Sequence, residues 1–295
     1  MTVCQGLRSE LEKLAGDLRP TDREFVSVLG VAQRLGVRVC LRLVKGAVSP
    51  AARIEMGLTP PTIYLGRSSS IEGTRYLGDR EDRILTARER FSVAHELGHW
   101  IAFKELRLSP SIDKSSYWDH ERCMHGFAAS LLMSGQVIDS WLNTCPSWEP
   151  ISPFALRHWA RNVTRLSEEV VATRLCSRRS EIGFLKVSSV KRKRNGSRVL
   201  KVLFAASGDQ VSIANTHAHI ENRALMEKLE EDGVGTASLA ESALGGKGSQ
   251  LLRVAWRQAG TLKSSYGSGS QAGSPIFWIS ATVQRVLAIR QLALW

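Results

Sequence analysis

The run Arg90-Phe91-Ser92-Val93-Ala94-His95-Glu96-Leu97-Gly98-His99-Trp100 contains two histidines four residues apart, with a glutamate directly after the first. On an α-helix, side chains four residues apart lie on one face, so His95 and His99 can direct ring nitrogens to one divalent ion. Glu96 lies next to that face, where it can take a proton from a water that the ion activates and deliver it to a leaving amine. The spacing therefore predicts the catalytic helix of a metallopeptidase, with His95 and His99 as metal ligands and Glu96 as the catalytic residue.

The sequence around this run is typical of a buried helix. Thr86 and Glu89 have the spacing of a capping box, in which each side chain bonds a free backbone N–H at the start of a helix. A broad apolar surface follows, formed by Phe91, Val93, Ala94, Leu97, Ile101 and Ala102. In a plain core helix the two histidines and the glutamate would be buried polar groups without a reason, which is costly. A metal site is therefore favoured over a plain core helix.

A third ligand is needed from elsewhere, because catalytic zinc usually has three protein ligands and one open position. The next helical pattern, residues 117–134, is apolar enough in its second half to pack beside the first helix. Its first half contains the candidate ligands Asp119, His120, Glu121 and His125. Glu121 and His125 share one helix face, so one could bind the ion while the other lies close by. Residue chemistry alone leaves all four candidates open.

The two runs together resemble the ImmA/IrrE family of metallopeptidases, whose site is of the gluzincin-like HExxH type. The resemblance covers roughly residues 20–180 and depends on Arg90–His99 followed by Glu121 and Phe127-Ala128-Ala129-x-Leu131-Leu132-Met133. In that family, a glutamate six residues before the Phe-Ala-Ala segment is the third metal ligand. The resemblance therefore implies that Glu121 completes the ligand set of His95 and His99.

The chain departs from the family pattern near this third ligand. The family usually has Ala-Asn where this chain has Met124-His125, and Pro where it has Ser134. His125 is therefore a candidate to tune the site or to compete for the ion. The side chain that stabilises the oxyanion is not identified by the sequence, and Tyr117, His120 and His125 are the candidates.

The residues before the site predict a small sheet, and with the family resemblance this implies an α+β fold class with a zincin-like metallopeptidase domain. We expect a helix at 22–35, a strand at 37–44 and a second strand at 62–66. Residues 45–61 are rich in small residues and proline and are predicted to be a loop. The family resemblance implies that an edge of this sheet can hold an extended substrate peptide.

The chain is long enough for more than one domain. We predict a metallopeptidase domain at 1–145, a helical, helix-turn-helix-like linker at 146–180 and a second α+β domain at 181–295. In the last region, four strand-like runs are evident, at 182–190, 198–205, 250–257 and 275–283. One amphipathic helix is evident at 222–231. Some family members have a GAF-like sensor domain at this end, and the order of elements is compatible with one, so a regulatory or sensor role is expected.

Composition limits the location and the partners. No apolar run is long enough for a transmembrane helix, and the N-terminus does not have the pattern of a signal peptide. The five cysteines are scattered without paired spacing, which indicates reduced thiols in a cytoplasmic protein. The net charge is +12, and most of the excess lies after residue 134. The basic run 191–194 precedes Asn-Gly between two apolar runs, so a charged hairpin turn is favoured over a nucleic-acid contact.

The sequence thus predicts a metal-dependent endopeptidase with a C-terminal regulatory domain. Zn²⁺ is the simplest ion for two imidazoles and a carboxylate, although such ligands also accept Mn²⁺ or Fe²⁺. The family resemblance implies a limited cut in a helix-turn-helix transcriptional repressor, which relieves repression in a stress, phage or mobile-element response. The alternative is a metal-containing regulator without turnover that binds DNA or a protein partner.

Overall fold

The chain folds into two units. One consists of Met1–Ile138 with Trp159–Val170, and the other of Asp139–His158 with Val171–Trp295. The computed structural model describes residues 3–19, 25–45, 52–107, 117–146, 149–191, 197–247, 250–262 and 274–283. The segment 146–180, predicted as a linker, thus contributes residues to both units, and the predicted boundaries at 145 and 180 stay a prediction.

The first unit contains a four-stranded sheet. Its strands are β1 (Arg38–Val44), β2 (Ala52–Glu55), β3 (Thr62–Ser68) and β4 (Gly73–Tyr76), in the order β2-β3-β1-β4. β1 pairs in parallel with β3, while β2 and β4 are antiparallel to their neighbours. The two predicted strands are confirmed. The predicted loop at 45–61 is wrong for 52–55, because so short a strand depends on its pairing with β3 rather than on a local pattern.

Four helices of this unit precede or follow the sheet: α1 (Val3–Asp17), α2 (Val28–Arg34), α3 (Ala87–Lys104) and α4 (Tyr117–Leu132). The helix predicted at 22–35 begins only at Val28, so the prediction is wrong for 25–27, and residues 22–24 lie outside the described residues. The cause is a cap: Ser27 has extended backbone, and its Oγ accepts a hydrogen bond from Gly30 N at 3.1 Å.

α3 begins as predicted. Thr86 Oγ1 accepts from Glu89 N at 3.2 Å, and the Glu89 carboxylate accepts from Thr86 N at 2.8 Å, which completes the capping box. Glu89 also pairs with Arg67 of β3, through Nη2 and Oε2 at 2.7 Å. The predicted apolar face is buried at Val93, Ala94, Leu97, Ile101 and Ala102, and only partly buried at Phe91. The capping box therefore fixes both the first residue of α3 and its contact with the sheet.

The guanidinium of Arg90, on α3, is fully buried and joins three separate segments. Its Nε donates to Asp82 Oδ2 at 3.0 Å, and its Nη1 donates to the carbonyls of Thr164 and Arg165 at 2.9 and 3.0 Å. Nη2 donates to the carbonyl of Val26 at 2.6 Å. Because a guanidinium has several donors in a fixed plane, one side chain can hold all three segments together.

The partners of Arg90 lie within or next to helices. Asp82 lies in a 3₁₀-helix, Asp79–Ile84, and its Oδ1 accepts from the first backbone N–H groups of α2, at Val28 (2.8 Å) and Leu29 (3.2 Å). Thr164 is the last residue of a short π-helix, Trp159–Thr164, whose C-terminal carbonyls are free to face Arg90. Asp82 therefore caps α2 and neutralises Arg90 at the same time.

The second unit contains a six-stranded antiparallel sheet. Its strands are β5 (Ile182–Lys191), β6 (Arg198–Ser207), β7 (His219–Ile220), β8 (Val234–Ala240), β9 (Leu251–Leu262) and β10 (Ser274–Val283), in the order β7-β6-β5-β10-β9-β8. One face packs on helix α8 (Arg223–Asp232) through Leu225, Met226 and Leu229. The four predicted strands and the predicted helix are confirmed, so both units are α+β.

Three shorter helices precede this sheet along the chain: α5 (Gly135–Leu142), α6 (Pro153–His158) and α7 (Glu168–Arg178). β5 and β6 pair as a hairpin as far as Lys191 opposite Arg198, as predicted, while 192–196 lie outside the described residues. None of the described helices has the length and hydropathy needed to cross a membrane. Four described cysteines, at 40, 123, 145 and 176, are free thiols.

The first prediction concerns the buried guanidinium. We expect Arg90→Ala to lower the free energy of unfolding by about 3–5 kcal/mol, because it leaves the Asp82 carboxylate buried without its charged partner. Arg88→Ala is the matched control, since Arg88 is exposed on the same helix, and its effect should stay within about 0.5 kcal/mol. Urea denaturation followed by tryptophan fluorescence measures both variants. Equal stability of the two variants would show that the Arg90 network does not hold the first unit together.

Candidate metal centre

Helices α3 and α4 bring two histidines and a glutamate together. His95 Nε2 lies 3.1 Å from Glu121 Oε2, and His99 Nε2 lies 3.4 Å from Glu121 Oε1. The two Nε2 atoms of His95 and His99 are 3.2 Å apart. The three side chains predicted from the sequence as ligands therefore form one cluster, and each is partly buried.

The spacing of these donor atoms suits a tetrahedral metal ion. With metal–ligand distances of about 2.0–2.2 Å, two ligands of such an ion are separated by about 3.3 Å. The three separations in the cluster are 3.1, 3.2 and 3.4 Å. Two imidazole nitrogens and one carboxylate also match a common catalytic zinc ligand set. Within the described part of the chain, no other group of three such side chains comes this close.

Burial keeps the imidazoles in the form that binds metal. Desolvation, aided by the positive forms of His99 and His125, lowers the pKa of His95 to about 3. Desolvation also lowers the pKa of His99, although the Glu121 carboxylate opposes that shift. Both rings are therefore neutral near pH 7, and each can offer a lone pair to an ion without first losing a proton.

Glu96 lies beside the cluster and is not part of it. Its Oε2 accepts a hydrogen bond from the backbone N–H of Ile54, in β2, at 3.0 Å. Burial raises the pKa of the Glu96 carboxyl to about 7; the Ile54 N–H opposes this rise, and the nearby Glu121 carboxylate adds to it. A carboxyl group with this proton affinity is suited to accept and return a proton near neutral pH.

The close approach of the two helices depends on Gly98. A methyl group at this position would lie 3.0 Å from Phe127 Cδ1 and 3.2 Å from Met124 Sδ, both on α4. These distances are shorter than ordinary carbon contacts. A glycine between the two metal-binding histidines thus allows α4 to lie near enough for Glu121 to reach both rings. The sequence signal for this close approach is the glycine within the His-Glu-Leu-Gly-His run.

The remaining candidate ligands have other surroundings. Asp119 pairs with Arg122 at 3.0 Å, and the charge of His120 contributes to lowering the pKa of His99. The ring of His125 lies 4.6 Å from that of His95, between ring centroids, and stacks on Phe91 at 5.8 Å. His125 is exposed, so it borders the cluster without joining it.

Tyr117, at the start of α4, is the other aromatic side chain at this cluster. The negative charge of Glu121 is the main cause that raises the pKa of the Tyr117 hydroxyl. A protonated phenol next to the cluster is a donor that could face a developing oxyanion. Tyr117 and His125 therefore both stay candidates for that role.

The architecture and the cluster define a metallopeptidase-type α+β domain. The family described as IrrE N-terminal-like domain, a peptidase family, matches residues 85–175. Residues 85–175 are therefore similar to the ImmA/IrrE metallopeptidases, as the sequence motifs implied. The matched range includes α3, α4 and the helical segments up to Leu175, so most of the predicted linker lies within it.

Two further comparisons bear on the whole chain. A solved structure described as a Mycobacterium tuberculosis transcriptional regulator is similar in fold, with a TM-score of 0.50 and 9% sequence identity. The similarity covers 94% of this chain and 76% of that chain. No curated protein sequence matches the chain.

The second prediction tests the cluster by metal content. We expect the purified chain to bind about one divalent ion, and His95→Ala or His99→Ala to weaken binding about 100-fold or more, because a missing helix ligand cannot be replaced locally. His219→Ala removes an exposed histidine of the second unit and serves as the matched control. Elemental analysis after dialysis against a weak chelator gives the stoichiometry. Unchanged metal content in both cluster variants would show that these histidines are not metal ligands.

Proposed function

We propose that the first unit is the catalytic domain of a metal-dependent endopeptidase. In this proposal His95, His99 and Glu121 hold the ion, and Glu96 is the general base and then the general acid. The observation that supports it best is the convergence of three donor side chains, whose nearest donor atoms are separated by 3.1–3.4 Å, with a partly buried carboxyl group beside them. The match of residues 85–175 to a peptidase family supports the same chemistry.

In the proposed reaction, the ion and Glu96 have separate roles. A bound divalent ion would supply Lewis-acid activation of a water molecule and of the scissile carbonyl. Glu96 accepts the proton that the attacking water loses and transfers it to the nitrogen of the leaving amine, so that no net proton is consumed. Partial burial of the cluster limits competing contacts with bulk water and strengthens the electrostatic interactions within it.

Zn²⁺ is the ion we propose, on the basis of the donor set. Two neutral imidazoles and one carboxylate leave a fourth tetrahedral position open, as catalytic zinc sites do. Mn²⁺ and Fe²⁺ are accepted by the same ligand types, and metal supply in the cell affects which ion is bound. Metal reconstitution with each ion, followed by an activity assay, decides between them.

The substrate we propose is a helix-turn-helix transcriptional repressor that receives a limited cut. This proposal is supported by the family of residues 85–175, whose resemblance implies that an edge of the four-stranded sheet can hold an extended peptide. Cleavage would relieve repression in a stress, phage or mobile-element response. We propose a cytoplasmic location for the protein, which is supported by the thiol form of the four cysteines that lie in the described part of the chain, at 40, 123, 145 and 176.

For the second unit we propose a regulatory or sensor role, as a GAF-like domain would have. A pocket of about 600 Å³ supports this role, because small-molecule sites commonly have volumes in this range. It is lined by β8, β9 and residues 149–154, with Arg253 and Glu149 among its polar groups. We do not expect a nucleic-acid partner, since the basic run 191–194 begins at the end of a hairpin strand.

The third prediction separates metal binding from catalysis. We expect Glu96→Gln to retain the ion and the fold but to reduce cleavage of a candidate helix-turn-helix repressor by at least about 100-fold, because an amide cannot accept the proton of water. Electrophoresis and mass spectrometry of the repressor fragments measure the rate and the cut site. Glu72→Gln, a change at an exposed glutamate outside the cluster, is the matched control.

Two outcomes of that experiment would contradict the proposal. Cleavage by Glu96→Gln at the rate of the control would rule out Glu96 as the general base. A wild-type protein that binds one ion but cleaves no candidate repressor would favour the alternative function, a metal-containing regulator without turnover.

A further inference from the structure

The backbone of β2 lies within hydrogen-bonding distance of Glu96, the candidate general base. β2 lies at one edge of the four-stranded sheet in the described residues and pairs on its other side with β3, where Ile54 is opposite Ile63. In an antiparallel pair, alternate residues direct their N–H groups toward the partner strand or away from it. The Ile54 N–H donates to Glu96 on α3, so it points away from β3.

This contact engages one of the two oxygens of the Glu96 carboxylate. Among the described residues, the Ile54 N–H is the hydrogen-bond donor found for Glu96, and it bonds Oε2 at 3.0 Å. The other oxygen, Oε1, is left for exchange of a proton. A hydrogen bond from an N–H to a carboxylate is stronger than one between neutral groups. A backbone donor in a paired strand also loses no side-chain freedom when it forms the bond.

We propose that the backbone N–H of Ile54 is a positioning group that holds Glu96 in the orientation needed for proton transfer beside the His95–His99–Glu121 cluster. The inference rests on the proposed peptidase function and adds a residue to it. Ile54 acts through Glu96 and touches neither substrate nor ion in this account. Any residue with a backbone N–H can supply the bond, and proline is the one residue type that cannot.

Replacement of Ile54 by proline tests the proposal directly. The Ile54 N–H is not used in the pairing with β3, so Ile54→Pro removes the bond to Glu96 without removing one from the ladder. We expect kcat for cleavage of the candidate repressor to fall about 10- to 100-fold, as for other groups that orient an active residue, with KM and metal content unchanged. Ile54→Ala retains the N–H and should cleave at least about tenfold faster than Ile54→Pro.

Equal kcat values for Ile54→Pro and Ile54→Ala would overturn the proposal. A fall in metal content or a rise in KM that accounts for the whole loss would also overturn it, because either result indicates disruption of the ligands or of substrate binding. Circular dichroism and metal analysis of both variants verify that they are folded and loaded.

Amide hydrogen exchange tests the same bond without cleavage and without a change at residue 54. In the unmodified 295-residue chain we expect the Ile54 amide to be protected, and in Glu96→Ala to exchange at least about tenfold faster, while the Leu41 amide in β1 is unchanged. Unchanged exchange at Ile54 would overturn the proposal. If the wild type cleaves no repressor, the peptidase function fails, yet this measurement still decides whether Ile54 holds Glu96.

Discussion

The buried ion pair between Arg90 and Asp82 is the constraint on which the first unit depends. Moving both charges out of water is costly, and the cost is offset here because their polar atoms meet backbone partners as well as each other. The pair holds three segments around one side chain of α3. These segments are the start of α2, the 3₁₀-helix before α3 and the turn after the π-helix. We regard its main effect as structural specificity, because an apolar pair of equal size could give similar stability.

The metal cluster follows from that arrangement. Arg90 is five residues before His95, so the segment that the ion pair fixes is the same helix that carries two of the ligands. Gly98 then allows α4 to approach, and Glu121 reaches both rings. Burial acts on the resulting site in two directions: it lowers the pKa values of the histidines and raises that of Glu96. The same surroundings therefore produce neutral metal ligands and a carboxyl group that can exchange protons near pH 7.

The features that the sequence predicted are those with a local cause. The capping box of Thr86, the apolar face of α3 and the spacing of His95 and His99 all depend on residues within one or two turns. Glu121 could be selected only through the family resemblance, because residue chemistry left Asp119, His120 and His125 equally open. The strand β2 was not predicted, because it depends on its pairing with β3. The contacts of Asp82 with Val28, of Ile54 with Glu96, and of Arg90 with Val26 and Thr164 were not predicted either, because each joins residues 42 or more positions apart in the chain.

The central claim is that one ion is held by His95, His99 and Glu121. Anomalous X-ray diffraction at the metal absorption edge, from crystals of the metal-loaded 295-residue chain, tests it most directly. The account predicts one strong anomalous peak in the first unit, about 2.0–2.2 Å from Nε2 of both histidines and from a carboxylate oxygen of Glu121. A peak coordinated by His125 in place of Glu121, or a peak distant from both histidines, would contradict it.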